Sequence, residues 1–259
     1  MRFSWQIFIL LPIVALLTSP TSVLADAKSD YDYQYGQYRQ NYIEYTILKQ
    51  DYLNNPSLDN QQKAILAAKQ SIIARELAKA SLAWYLTDLI HSNNIVYEPV
   101  KSLINSLEIA RSFFLSQSQK SQSIITQDNL KTYTENYLKD VIIHDQSFKY
   151  GIIVNKIAKL VRLQLDCQTA FDDLLPKLPV PLPTTLNARI NELKDSKVVI
   201  DKKIETLANS LNPILGEENV DSEIFFTARI EKLSEIRSLQ LDWINRLIDI
   251  DINYVQTKN

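Results

Sequence analysis

Glycine is nearly absent: the 259-residue chain has three, Gly36, Gly151 and Gly216. Average usage would supply several times as many. Sandwiches and barrels depend on many tight turns, so this scarcity argues against a strand-rich fold. Cysteine is reduced to Cys167, so no intramolecular disulfide can form and packing alone must stabilise the fold. Basic excess is missing too. The chain has 28 Lys and Arg against 30 Asp and Glu, a net charge of −2, which lacks the electrostatic footprint of a nucleic-acid or anionic-lipid binder. Histidine occurs only at positions 91 and 144. What remains is abundant Leu, Ile, Ala, Lys, Gln and Glu, the composition of a few long helices.

The one long apolar run lies at the start. Ile7 to Leu17 reads IFILLPIVALL, after a basic Met1-Arg2 and before the small, polar TSPTSVLADA. That pattern predicts a secretory signal peptide over residues 1–25, cleaved after Ala25 or Ala27. A spanning helix needs about 20 apolar residues, and this run is shorter and holds a proline. The expected mature chain is exported, extracytoplasmic at the cell envelope or secreted, and without a membrane span.

Proline and asparagine mark the remaining breaks. NNPS at 54–57 separates two helices, with Ser57 as N-cap of the second. HSNN at 91–94 ends that helix, and Pro99 suits the first turn of a third. A polar break at 116–129 leads to Thr126 as the next N-cap. The segment 127–175 reads helical, with a weak point at HDQSFKYG, 144–151. LPKLPVPLP at 175–183 predicts an extended connector. NPILGEENVD at 212–221 is a loop before the last helix. The expected organisation is all-α: an antiparallel helical bundle over 28–175, a Pro-rich connector at 176–183 and a helical hairpin over 184–256.

Seven of the thirteen tyrosines lie in DYDYQYGQYRQNYIEYTILKQDYL, Asp30 to Leu53. Tyr35, Tyr38, Tyr42, Tyr45, Lys49 and Tyr52 follow a 3–4 spacing, one face of a helix. The next helix carries Ala64, Ala67, Ser71, Ala74, Ala78, Ser81 and Tyr85 on the same spacing. A bulky row can pack closely on a small one, because interiors fill a fixed volume. Antiparallel register then sets Tyr45 near Ala67 and Tyr38 near Ala74. A less economical reading is an exposed aromatic platform for sugars or a partner helix. A second row on that helix, Leu66, Ile73, Leu77, Ala80 and Trp84, predicts a central element with more than one neighbour.

Further rows repeat the spacing: Val96, Val100, Leu103, Leu107, Ala110 and Phe114; Ile153, Ile157, Leu160, Gln164, Cys167, Phe171 and Leu174; Leu186, Ile190, Leu193, Lys197, Ile200, Ile204, Leu207 and Leu211; Ile236, Trp243, Leu247, Ile250 and Tyr254. Such rows predict elongated, coiled-coil-like antiparallel contacts.

Residues placed for chemistry are scarce. His91 falls in a break and His144 on an apolar face, so both read as packing or loop residues. Cys167 lies on an apolar row as an inert thiol. DIDIN, Asp249 to Asn253, imitates the start of a calcium loop, but its sixth position is Tyr254 rather than glycine. No catalytic, cofactor-binding or metal-ligating residue is assigned, and no cofactor is expected.

The run QYGQYRQNYIEYTILKQDYL, followed by an Ala- and Lys-rich helix, resembles uncharacterised exported all-helical proteins of uncultivated bacteria with small genomes, over residues 1–90. The resemblance implies an exported helical protein and no activity. The expected function is a non-enzymatic scaffold, adaptor or spacer at the cell envelope, acting through helix–helix contacts with a protein partner or with itself. The alternatives are a ligand-binding bundle, with the ligand near Trp84, Tyr85 or Tyr97, and an accessory component of an export, pilus or conjugation assembly.

Overall fold

A computed structural model describes residues 26–93, 98–211 and 222–255. Six α-helices account for nearly all of them, with no strand among the described residues: α1 (Ala27–Asn54), α2 (Leu58–Ser92), α3 (Glu98–Lys120), α4 (Gln127–Leu174), α5 (Thr184–Asn209) and α6 (Ser222–Tyr254). The protein is an all-α bundle. The expected signal peptide, Val96, Tyr97 and the loop at 212–221 lie outside the described residues.

Capping sets the helix starts. Ser57 Oγ accepts from Asn60 N–H at 3.2 Å, and Thr126 Oγ1 accepts from Asn129 N–H at 3.2 Å, each satisfying an orphan donor of the first turn. A single 3₁₀ turn, Ser121–Ser123, makes the break between α3 and α4. α4 then runs unbroken for 48 residues, roughly 72 Å at 1.5 Å per residue, straight through 144–151. The connector begins as a 3₁₀ turn at Leu175–Lys177 and continues non-helically to Thr184, with Leu178 buried and Val180 fully in solvent.

Side-chain pairs give the directions. Lys79 reaches Asp145 and Asn93 reaches Asn155, so α2 and α4 run parallel. Lys203 meets Glu235 and Trp243 Nε1 donates to Leu193 O, so α5 and α6 are antiparallel. Lys149 meets Glu223 and Gln240 meets Gln164, which makes α6 parallel to α4. One continuous buried cluster extends from α2 through α6, so the α5–α6 hairpin lies against α4.

The predicted rows are the core. Val100, Leu103, Leu107, Ala110 and Phe114 are buried, as is every member of the α4 row from Ile153 to Leu174. So are Leu186, Ile190, Leu193, Ile200, Ile204, Leu207 and Leu211, and Ile236, Trp243, Leu247 and Ile250. Gln240 fills the gap in the last row. α2 packs against α1, α3 and α4, but its second buried face runs through Glu76, Ala80, Ala83, Leu86 and Ile90. Of the expected row Leu66, Ile73, Leu77, Ala80 and Trp84 only Ala80 is buried, and Leu66 is 55% exposed.

The tyrosine seam is rotated from its expected position. Ala64, Ala67, Ser71, Ala74, Ala78 and Ser81 are all buried, but the α1 residues half-buried over them are Tyr31, Gln34, Tyr38, Asn41, Tyr45, Leu48 and Tyr52. Tyr35 and Tyr42 stay 45% and 51% exposed on the flank. Gln34, Asn41 and Leu48 share the inner face with Tyr31, Tyr38, Tyr45 and Tyr52. The tyrosine hydroxyls on the flank keep their water. Asn41 satisfies its amide locally by donating to Gln37 O at 2.8 Å.

Two helical glycines contrast. A Cβ on Gly151 would stand 3.1 Å from Leu86 Cδ1, so this glycine serves the close approach of α2 and α4. A Cβ on Gly36 would meet nothing within 4 Å.

Bulk on the alanine row should lift α1 from α2. Ala74→Leu is expected to destabilise the protein by roughly 1–3 kcal/mol, the usual range for overpacking. Urea unfolding followed by circular dichroism checks this; an unchanged midpoint would mean that Ala74 faces no packed row.

Candidate functional site

The parallel run of α2 and α4 brings together a polar cluster that neither helix announces alone. Glu76 on α2 has a fully buried side chain. Arg75, the next residue, folds over it: Nε donates to Glu76 Oε1 at 2.7 Å and Nη2 lies 2.6 Å from the same oxygen. Glu76 Oε2 has no hydrogen-bond partner among the described residues. The Arg75 guanidinium lies 4.4 Å from the Tyr137 ring centroid, a cation–π contact. One turn on, Lys79 donates to Asp145 at 2.8 Å and to the Tyr137 hydroxyl at 3.2 Å. Its ammonium sits 5.1 Å from the Phe114 centroid.

Burial dominates the electrostatics. It pushes the Glu76 carboxyl above the ordinary carboxylate range, against the pull of Arg75. For Arg75 burial opposes the charge, but Glu76 and then Tyr137 outweigh it and the guanidinium is held more firmly protonated. Burial, reinforced by the Glu76 charge, raises the Tyr137 hydroxyl far above its usual value. His144 stacks on Phe113 with centroids 4.1 Å apart, and burial lowers its pKa despite Asp145 and Asp140 nearby. The arrangement is a charge lock between helices. Each cation is committed to an acid and an aromatic ring.

The sequence-derived candidates fall as follows. His91 is exposed in the last turn of α2, and His144 is the packing histidine of the α3–α4 contact. Cys167 is buried on the α4 row, and burial raises its thiol pKa. Asp249 to Asn253 is helix, not loop, with Asn253 Nδ2 donating to Asp249 O at 2.7 Å. Among the described residues no three His, Cys, Asp or Glu converge as a metal site. Trp84 is covered by Arg111, 5.2 Å from its ring, and Tyr85 by Tyr31, with centroids 6.0 Å apart. Sequence reasoning missed Arg75, Glu76, Lys79, Tyr137 and Asp145. The available signal was an acid beside the apolar row Ile73, Leu77 and Ala80.

Two surface features remain. Tyr31, Tyr35, Tyr38, Tyr42 and Tyr45 form a continuous ladder, with successive centroids 5.8, 6.4, 5.9 and 6.4 Å apart. Its middle opens on a groove of about 220 Å³ shared with Ser71, Arg75 and Thr134. A wider groove of about 850 Å³ lies between α4 and α5, with Ile157, Val161 and Ile204 on its floor and the Lys197–Asp201 pair at its edge.

No protein-family model, curated protein or solved structure matches this chain. No helix among the described residues is long and apolar enough to cross a membrane. The class defined by the fold is a helical bundle with a buried charge lock.

The lock has a pH signature. Glu76 binds its proton more tightly folded than unfolded. Its stabilising contribution is therefore full below the ordinary carboxyl value, about 4.3, and is lost as pH rises through the folded value. Removing Arg75 moves that folded value higher still. Arg75→Met is thus expected to cost about 3 kcal/mol near neutral pH, the lower end for breaking a buried pair, and clearly less in mild acid. Urea midpoints of both proteins across that range provide the check; a cost independent of pH would contradict the assignment.

Proposed function

We propose that the protein is a non-enzymatic, exported helical scaffold or adaptor that works at the cell envelope through contacts between helices. One observation carries this reading. Among the described residues α1 takes almost no part in the buried cluster, packs chiefly on α2, and turns Tyr33, Ile43 and Ile47 to solvent at 62%, 58% and 57% exposure. Large apolar side chains in a row on an outer helix face mark contact surface better than they serve solubility. Export rests on the residue 1–25 pattern and the resemblance described above.

A ligand-binding bundle is the second reading, favoured by the α4–α5 groove, whose volume of about 850 Å³ falls in the range of small-molecule sites. Its lining mixes Arg162 and Lys197 with Asp166, Asp201 and Glu205, which selects no single ligand charge.

Photocrosslinking in intact producing cells tests the contact reading. A benzoylphenylalanine at position 47 should give a discrete protein adduct, and the same group at exposed Asn191 on α5 should not. Equal labelling at both positions, or none at position 47, would count against a contact surface on α1.

A further inference from the structure

Among the described residues nothing explains Gly36. A glycine within a helix costs about 1 kcal/mol relative to alanine. Gly151 offsets that cost by admitting Leu86, whereas the space beside Gly36 is open. A missing side chain on an outward face is of use when another backbone must come close from outside. Gly36 belongs to a row with spacing 4, 3, 4, 3 and 4: Ser29, Tyr33, Gly36, Gln40, Ile43 and Ile47. All six are exposed, on the face opposite the one that α1 lays on α2.

We infer that this row is a self-association surface, on which two copies of the chain pair their α1 helices antiparallel about a two-fold axis at Gln40. The inference rests on the helix-contact reading above and names its partner. The row is complementary to itself. Reversal about Gln40 sets Ile47 against Tyr33 of the second copy and Ile43 over its Gly36 and Gln37. Large then meets small or flat, twice by symmetry, as close packing requires. Gln40 meets its own copy, and a primary amide both donates and accepts, so the pair fixes the register. An unrelated partner helix would need no such symmetry in this row. The two Arg39 side chains flank the same axis, and both copies carry net negative charge. Added salt should therefore strengthen the pairing rather than weaken it. Five or six residues a side make a small interface, under about 1,200 Å² in total, so the association is weak and concentration-dependent.

The test uses the purified protein alone. Sedimentation equilibrium at tens of micromolar should show monomer and dimer. Gln40→Cys should form an intermolecular disulfide at least about tenfold faster than Gln62→Cys, at an exposed position of α2, as proximity in a complex requires. The native Cys167 is buried and does not compete. Gly36→Leu should abolish both signals while leaving the helical spectrum unchanged, because its side chain enters open space in the monomer. Equal crosslinking rates, a purely monomeric protein, or a dimer that survives Gly36→Leu would overturn the pairing. A monomer that still yields an adduct to a different protein from position 47 in cells would refute self-pairing and leave the contact reading standing. Absence of both would sink the two together.

Discussion

The small side chains of α2 are the constraint on which the rest of the structure depends. Ala64, Ala67, Ser71, Ala74, Ala78 and Ser81 let α1 lie close on one side. Ala80 and Ala83 let α3 and α4 do so on another. Helix axes separate by the size of the residues between them, so a leucine at any of these positions would push a neighbour outward. α2 thereby becomes a hub with three neighbours, and its backbone is enclosed although most of its buried side chains are alanine or serine. Enclosure has a consequence for charge. An acid on a helix that is surrounded so closely cannot reach water, and the Glu76 side chain is fully buried.

Burying a carboxylate is costly, and a nearby cation seldom gives a net gain over a well-packed apolar pair. The Arg75–Glu76 contact is therefore better understood as selecting a register than as adding stability. Arg75 can cover both Glu76 and the Tyr137 ring only when α4 stands at its present height beside α2. Lys79, a turn further along, reaches Tyr137 and Asp145, offsets of 58 and 66 residues that straddle the same alignment. Its pair with Asp145 is half in solvent, and exposed pairs of this kind contribute little. Both contacts agree with the Asn93–Asn155 pair near the far end of α2, so three polar points define one parallel alignment over a long contact. Apolar rows alone would leave such a contact free to slide by a turn.

Where the fold was legible in the sequence, the reason is periodicity. Leu103 and Leu107, Ile153 and Ile157, or Leu186 and Ile190 are apolar without ambiguity, and their 3–4 spacing identifies the buried face. The tyrosines of α1 were not legible in the same way. Two interleaved rows, one through Tyr31, Tyr38, Tyr45 and Tyr52 and one through Tyr35, Tyr42 and Lys49, each satisfy the spacing. Tyrosine is content at a half-wet flank, so its presence does not say which row is inside. The charge lock was hidden for another reason. Arg75 and Glu76 are adjacent in sequence on a helix rich in Lys, Gln and Glu, and the aromatic ring that gives the pair its meaning lies some sixty residues away. Spacing rules on one helix have no access to a partner on another.

The same reasoning separates what folding uses from what it leaves over. The interiors of α2 to α6 are occupied by residues whose positions the core explains, including Gly151. α1 is attached by one face and carries no large side chain into the central cluster. An element with few buried contacts opens at low cost, so selection for stability has little hold on its outer surface. A row there that combines two isoleucines, a tyrosine and a helix-weakening glycine is unfavourable for an isolated helix on every count: apolar exposure, lost helix propensity and no internal contact. Those costs are the ones that the proposed pairing would recover, by covering the apolar side chains and bringing a second backbone to the glycine.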